Sequence, residues 1–234
     1  MKKYLFASVM GLLGIESCFA GVTITGTRII FPSDQKQVVV QLNNPDSHAA
    51  LVQAWLDDGN PKEIPAADRI PFVLTPPLSR IEENKGQMLR LIAKNTNQLA
   101  QDRESLYWFN ILDVAPTDHA VPNKLNISVR SRIKLFYRPI HLKGKPENFF
   151  SKLSFKYIKD LNVIEVSNNS PYYMNFQKVV VSNNNQQQEV YTDPLMVAPF
   201  GHSTFKTKIT SPKTINYLLI NDFGGINSLN TTIN

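Results

Sequence analysis

Residues Asn123–Pro139, NKLNISVRSRIKLFYRP, carry a pattern that only an extended chain can use. Leu125, Ile127, Val129, Ile133, Leu135 and Tyr137 fall on odd positions, while Asn126, Ser128, Arg130, Arg132, Lys134 and Arg138 fall on even ones. Side chains alternate faces along a strand, so one face is apolar and the other carries the cations. From Leu125 to Tyr137 the alternation predicts a strand of 13 residues, about 40 Å long at the usual rise. Ordinary strands average about 5–6 residues, so this one is expected to reach beyond its own sheet partner. Two uses fit the period equally well. One is a long core strand of the chain's own sandwich. The other is a strand offered to another chain, with main-chain hydrogen bonds for affinity and alternate apolar side chains as keys.

Residues 1–20 read as an export signal. Lys2 and Lys3 form a charged head, Tyr4–Ile15 an uncharged apolar run, and Cys18-Phe19-Ala20 has small residues at its first and third positions, with cleavage after Ala20. The run is too short to span a bilayer comfortably, and Ile15-Glu16-Ser17 is a poor context for attaching lipid at Cys18. A mature chain starting at Gly21 has 214 residues and no cysteine, since Cys18 is the single one. An exported chain without cross-links needs real apolar cores, and this length suits two domains of about 100 residues each. Losing Lys2, Lys3 and Glu16 leaves 23 basic against 18 acidic residues, a net +5. Export sets nucleic acid aside as the target of that excess and points to acidic protein groups or an anionic surface.

From Val22 onward, short β-type runs are broken by turn residues. VTITGTRIIF, KQVVVQLNN, LVQAWLD, FVLTPP, QMLRLIA and LYWFNILDV precede the long strand; LSFKYI, LNVIEVSN, YYMNFQKVVVSN, VYTDPLMVAP, STFKTKI and INYLLIND follow it. Lys143-Gly144-Lys145-Pro146 reads as a linker between an amino-terminal domain, 21–142, and a carboxyl-terminal domain, 143–234. Asn183–Gln188, NNNQQQ, reads as a polar hairpin tip, and short helices are expected only near Ala66–Arg69 and Thr96–Gln101. The fold class is all-β, two sandwiches in series.

The sequence offers no spacing for catalysis. His48, His119, His141 and His202 are scattered, and a zinc site without cysteine would need carboxylates to complete it. The ten glycines form no phosphate-cradling loop. Ser203 follows Gly201-His202 without the strand–turn–helix setting of a hydrolase nucleophile. Asp57-Asp58 and Glu82-Glu83 are adjacent pairs that diverge on an extended chain, and solvated turn positions account for them. No catalytic residue, metal or cofactor is assigned, and the chain is read as a non-enzyme.

QDRESLYWFNI at Gln101–Ile111, SRIKLFYRP at Ser131–Pro139 and NDFGG at Asn221–Gly225, with Thr75-Pro76-Pro77 and Thr27-Arg28, closely resemble the periplasmic pilus chaperones, the PapD-like proteins of the chaperone–usher pathway. The likeness spans nearly the whole mature chain. Ala115, where members usually show proline ahead of Pro116, and the lack of cysteine in the second domain depart from the pattern.

The resemblance implies two immunoglobulin-like domains in an L-shape whose cleft receives a pilus subunit. The subunit lacks its last strand and the chaperone lends one, with Leu125, Ile127 and Val129 as the donated side chains. Such a loan satisfies an exposed apolar groove and unpaired strand edges without ATP. Arg28 and Lys134 are implied to grip the subunit's terminal carboxylate, the arginine as a fork of donors and the lysine as a point charge. Glu104, Arg138 and Asp222 are implied to form an ion cluster between the domains. Taken as exposed pairs, worth only about 0–1 kcal/mol each, they are assigned to fixing the interdomain angle. The implied partners are pilus subunits and an outer-membrane usher. The short spacing from Phe109 to the long strand matches members serving rod-like, adhesive pili. A lent strand is sticky when free, so Arg130, Arg132 and Lys134, or self-association, are expected to limit that hazard. The alternative is a secreted two-domain adhesion module whose basic stripe, Arg130–Lys145, recognises an anionic surface.

Overall fold

The computed structural model describes residues 21–66, 68–114, 127–190 and 195–233. The export signal, Leu125, Ala115 and His119 lie outside the described residues.

Among the described residues, nine strands make the first half: β1 Thr23–Ile24, β2 Arg28–Pro32, β3 Gln37–Asn43, β4 Ala50–Asp57, β5 Phe72–Thr75, β6 Leu78–Ile81, β7 Gly86–Ala93, β8 Ser105–Val114 and β9 Val129–Arg138. They form two sheets, ordered β1-β3-β7-β5 and β2-β9-β8-β4-β6. Alternation does the packing: along β4, Ala50, Val52 and Ala54 are buried while Leu51 and Gln53 face out. Phe31, Leu42, Leu91, Phe109 and Leu135 close the shared core. The run VTITGTRIIF is divided rather than continuous. Gly26, at φ +96°, turns the chain from β3's side in one sheet to β9's side in the other, a bend that suits a residue without Cβ.

The second half holds β10 Ser154–Ile158, β11 Val163–Ser167, β12 Met174–Ser182, β13 Gln187–Glu189, β14 Met196–Val197, β15 His202–Lys206, β16 Thr214–Ile220 and β17 Ile226–Thr232. Its sheets run β10-β11-β15 and β13-β12-β16-β17, with β14 also paired to β12. Phe155, Ile164, Val166, Phe205, Ile215 and Tyr217 fill a separate core. The NNNQQQ stretch is a hairpin tip: Asn183 Oδ1 accepts from the amides of Asn185 and Gln186 at 3.0 and 2.9 Å, and Gln187 and Gln188 already pair with β12.

Three sequence expectations need correction. No helix occurs near Ala66–Arg69 among the described residues, where the Arg69 amide donates to the Ala66 carbonyl at 3.0 Å. Only Thr96–Gln98 of the second predicted helix is helical, as one 3₁₀ turn, while an unpredicted 3₁₀ stretch, Pro146–Lys152, docks Phe150 into the second core. The long strand is also shorter than its alternation: β9 spans 10 residues and leaves Ile127 and Ser128 outside it. Its pairing with β8 ends at Asp113 opposite Val129, and a strand stops where its neighbour stops supplying hydrogen bonds.

Candidate functional site

The position of β9 in its sheet is asymmetric. β8 runs antiparallel to it from Val129 to Tyr137, but β2 pairs with it only from Lys134 to Arg138. On the β2 side, Val129–Ile133 therefore has no strand partner among the described residues. Its unpaired main-chain groups form a half-edge open to another strand. Ile127 and Val129 lie at its start, 64% and 46% exposed.

Where β2 begins, Arg28 stands in register with Lys134. Both line a cleft of about 370 Å³ with Thr27, Trp108, Arg132 and Ile133, closed from the second half by Gln177, Ile220, Gly224 and Ile226. Gly224 permits the close approach: at φ +82°, a Cβ there would sit 2.9 Å from Thr27 Oγ1. Arg28 Nη1 donates to the Ile220 carbonyl at 3.2 Å, while its Nε is buried without an acceptor. Neither Arg28 nor Lys134 has an ion-pair partner within 4 Å among the described residues; Lys134 Nζ lies 5.7 Å from the Trp108 ring centroid. Burial, then the charge of Arg28, pulls the Lys134 ammonium down to about 8. Burial lowers Arg28 as well. Burial disfavours the charged form of both cations, and for Arg28 the charges of Asp222 and Glu104 pull the other way.

The other even-numbered cations of β9 are not free. Arg132 makes two hydrogen bonds to Asp57, at 2.9 and 2.5 Å, and its guanidinium covers the Trp108 ring at 3.8 Å. Arg130 donates to Asn110 Oδ1 at 3.1 and 2.7 Å and lies over Trp55. Asp57, read from sequence as a solvated turn residue, is fully buried at the end of β4. Adjacent Asp58 does point outward, to Arg69. Burial alone would push the Asp57 carboxyl up; hydrogen bonds from Arg132, Asn110 and the Gly59 amide, with the Arg132 charge, outweigh it and hold the group below its ordinary value. Trp55 and Asp57, and Trp108 and Asn110, share a face by two-residue spacing. That spacing is legible in LVQAWLD and LYWFN.

At the far end of β9 the structure brings Glu104, Arg138 and Asp222 together. Arg138 Nε donates to Glu104 at 2.7 Å, and its two terminal nitrogens grip Asp222 at 2.6 and 2.9 Å. Glu104 also accepts from the Tyr173 amide at 2.8 Å, and its own amide donates to the Pro171 carbonyl at 2.9 Å. The cluster is not exposed: Glu104 is 3% accessible, and burial pushes its carboxyl up against the pull of Arg138. Phe136, which breaks the even polar series, packs on Tyr173 with centroids 5.5 Å apart.

Residues 21–143 match the family described as pili and flagellar-assembly chaperone, PapD N-terminal domain, and residues 148–231 match the pili assembly chaperone PapD, C-terminal domain. The chaperone protein HifB of Haemophilus influenzae is 41% identical over 214 residues, covering 89% of this chain and 86% of that one. The crystal structure of the YadV chaperone, a probable fimbrial chaperone of Escherichia coli, superposes with a TM-score of 0.77 at 36% identity over 91% of this chain and 100% of that one. A Salmonella enterica structure of the SafA pilin in complex with the SafB chaperone matches with a TM-score of 0.77 at 28% identity, covering 93% and 98%. With both halves matched and two separate sandwich cores in place, the chain belongs to the PapD-like family of pilus assembly chaperones, built from two immunoglobulin-like domains.

Proposed function

We propose that this protein is an exported, periplasmic chaperone that binds a pilus subunit by lending it β9 and hands the complex to an outer-membrane usher, with no ATP. The observation that carries this reading is that the open half-edge Val129–Ile133 runs directly into the cleft where Arg28 and Lys134 lie without an ion-pair partner among the described residues. A guest strand beside Val129–Ile133 would satisfy its main-chain groups, as in β-strand addition. The guest's terminal carboxylate would supply the missing anion and fix the register, so that Leu125, Ile127 and Val129 fall into its groove. A pilin bound to the SafB chaperone, a relative of similar fold, supports a subunit as the occupant.

The short spacing from Phe109 to the alternating stretch that opens at Asn123 fits service to rod-like, adhesive pili. The competing reading, a basic stripe for an anionic surface, loses support because Arg130, Arg132 and Arg138 face the chain's own carboxylates. The test is copurification from the periplasm with co-expressed pilin-like subunits. The intact chain should recover a subunit, and Arg28→Ala or Lys134→Ala should fold yet recover none. Undiminished recovery by either variant would remove that residue from carboxylate binding.

A further inference from the structure

We propose that Asp57 is the positioning residue for the open half of β9: a buried carboxylate two strands away that keeps Val129–Ile133 extended and in register before any guest arrives. This rests on the reading of β9 as a lent strand.

The half-edge needs such a hold. Among the described residues it has one strand neighbour, β8, and its apolar side chains give little anchorage, since Val129 is 46% exposed and Ile133 only partly buried. What remains is the even face, and there both cations converge on one group. Arg132 donates to both Asp57 oxygens, and the Arg130 Nη2 lies 3.7 Å from the same carboxylate. Asn110 couples the pair, accepting from Arg130 at its Oδ1 and donating from Nδ2 to Asp57 at 2.8 Å. The Pro61 carbonyl takes the last Arg130 bond at 2.5 Å. Trp55 and Trp108 lie under the two guanidinium planes. One carboxylate thereby ties β4, β8 and the free half of β9.

The arrangement is better explained by placement than by stability. A buried ion network of this kind is often no more stable than apolar packing of the same volume, but it fixes geometry through directed bonds. An ordered ribbon loses less conformational freedom when a guest binds, and that gain appears directly in affinity.

The test compares the intact chain with Asp57→Asn, using hydrogen exchange in the free protein and dissociation of the subunit recovered by copurification. Protection should fall at those amides of Val129–Ile133 that face β8, with Leu135–Tyr137 unchanged. Subunit affinity should weaken about tenfold, the factor equivalent to re-ordering roughly one residue at ~1.4 kcal/mol. Asp57→Glu, which restores the charge, should recover part of both. Unchanged protection at Val129–Ile133, or a general loss across the whole domain, would overturn the proposal, as would lost protection with unaltered affinity. If Asp57→Asn fails to fold, Arg132→Gln decides by the exchange measurement alone. Failure of the intact chain to recover a subunit would instead count against the strand-lending function, while exchange in the free protein still decides what Asp57 does.

Discussion

Lys134 shows how far a single side chain can carry the chemistry. Its ammonium is lowered to about 8 by burial and the nearby Arg28 charge, below the ordinary lysine value of about 10.4. The unfolded chain therefore holds more protons between those values, and the free protein gains stability as pH rises across that window. Binding runs the other way. A carboxylate between Arg28 and Lys134 favours the protonated form, so subunit capture should take up a proton and weaken as pH passes about 8. Affinity measured by titration at pH 7 and pH 9 should differ by about tenfold, and Lys134→Arg should flatten the profile. Equal affinity at both values would separate Lys134 from the carboxylate. Arg28 and Lys134 were found through a family likeness, because a lone cation in a strand has no signature of its own. The burial of Asp57 is hidden in the sequence for the converse reason. Its neighbours Asp58-Gly59-Asn60 announce a turn, whereas its burial is decided by Arg132, a residue 75 positions away.

β9 is two different strands joined end to end, and substitutions should separate them. Leu135 is fully buried among Phe31, Phe109 and the rest of the first core, so Leu135→Ala should cost about 2–5 kcal/mol in denaturant unfolding. Ile127 and Val129 are largely exposed in the free chain. Their replacement by alanine should change the unfolding free energy by no more than about 0.5 kcal/mol yet abolish subunit recovery. A stability loss at Val129 matching that at Leu135 would mean that the open half already belongs to the protein's own core. The existence and face polarity of this strand were plain in its alternation. Its start was not, because Asp113, at the end of the pairing with β8, sets that boundary. Nor was the exception at Phe136, which is covered by Tyr173 from the other domain.

Between the domains, Arg138 touches both halves at once, through Glu104 and Asp222. The burial of Glu104 changes the expectation drawn from exposed pairs. Removing one partner of a buried pair typically costs about 3–5 kcal/mol, so Arg138→Ala should lower thermal stability clearly as well as alter the interdomain angle seen by solution scattering. Asp222→Asn, on the more exposed side of the cluster, should cost less. A scattering profile and melting curve identical to those of the intact protein would show that the cluster governs neither. The two-sandwich architecture was readable from strand spacing. The contact between sandwiches was not, since it depends on residues as distant as Glu104 and Tyr173.

The chain has two tryptophans, Trp55 and Trp108, and each lies beneath an arginine of β9. Indole emission is sensitive to an adjacent cation and to local hydration, so the tryptophan fluorescence of the whole molecule originates on one face of one sheet. Nature has in effect dyed the ribbon: docking, detachment or misalignment there can be followed by light alone, with no label attached.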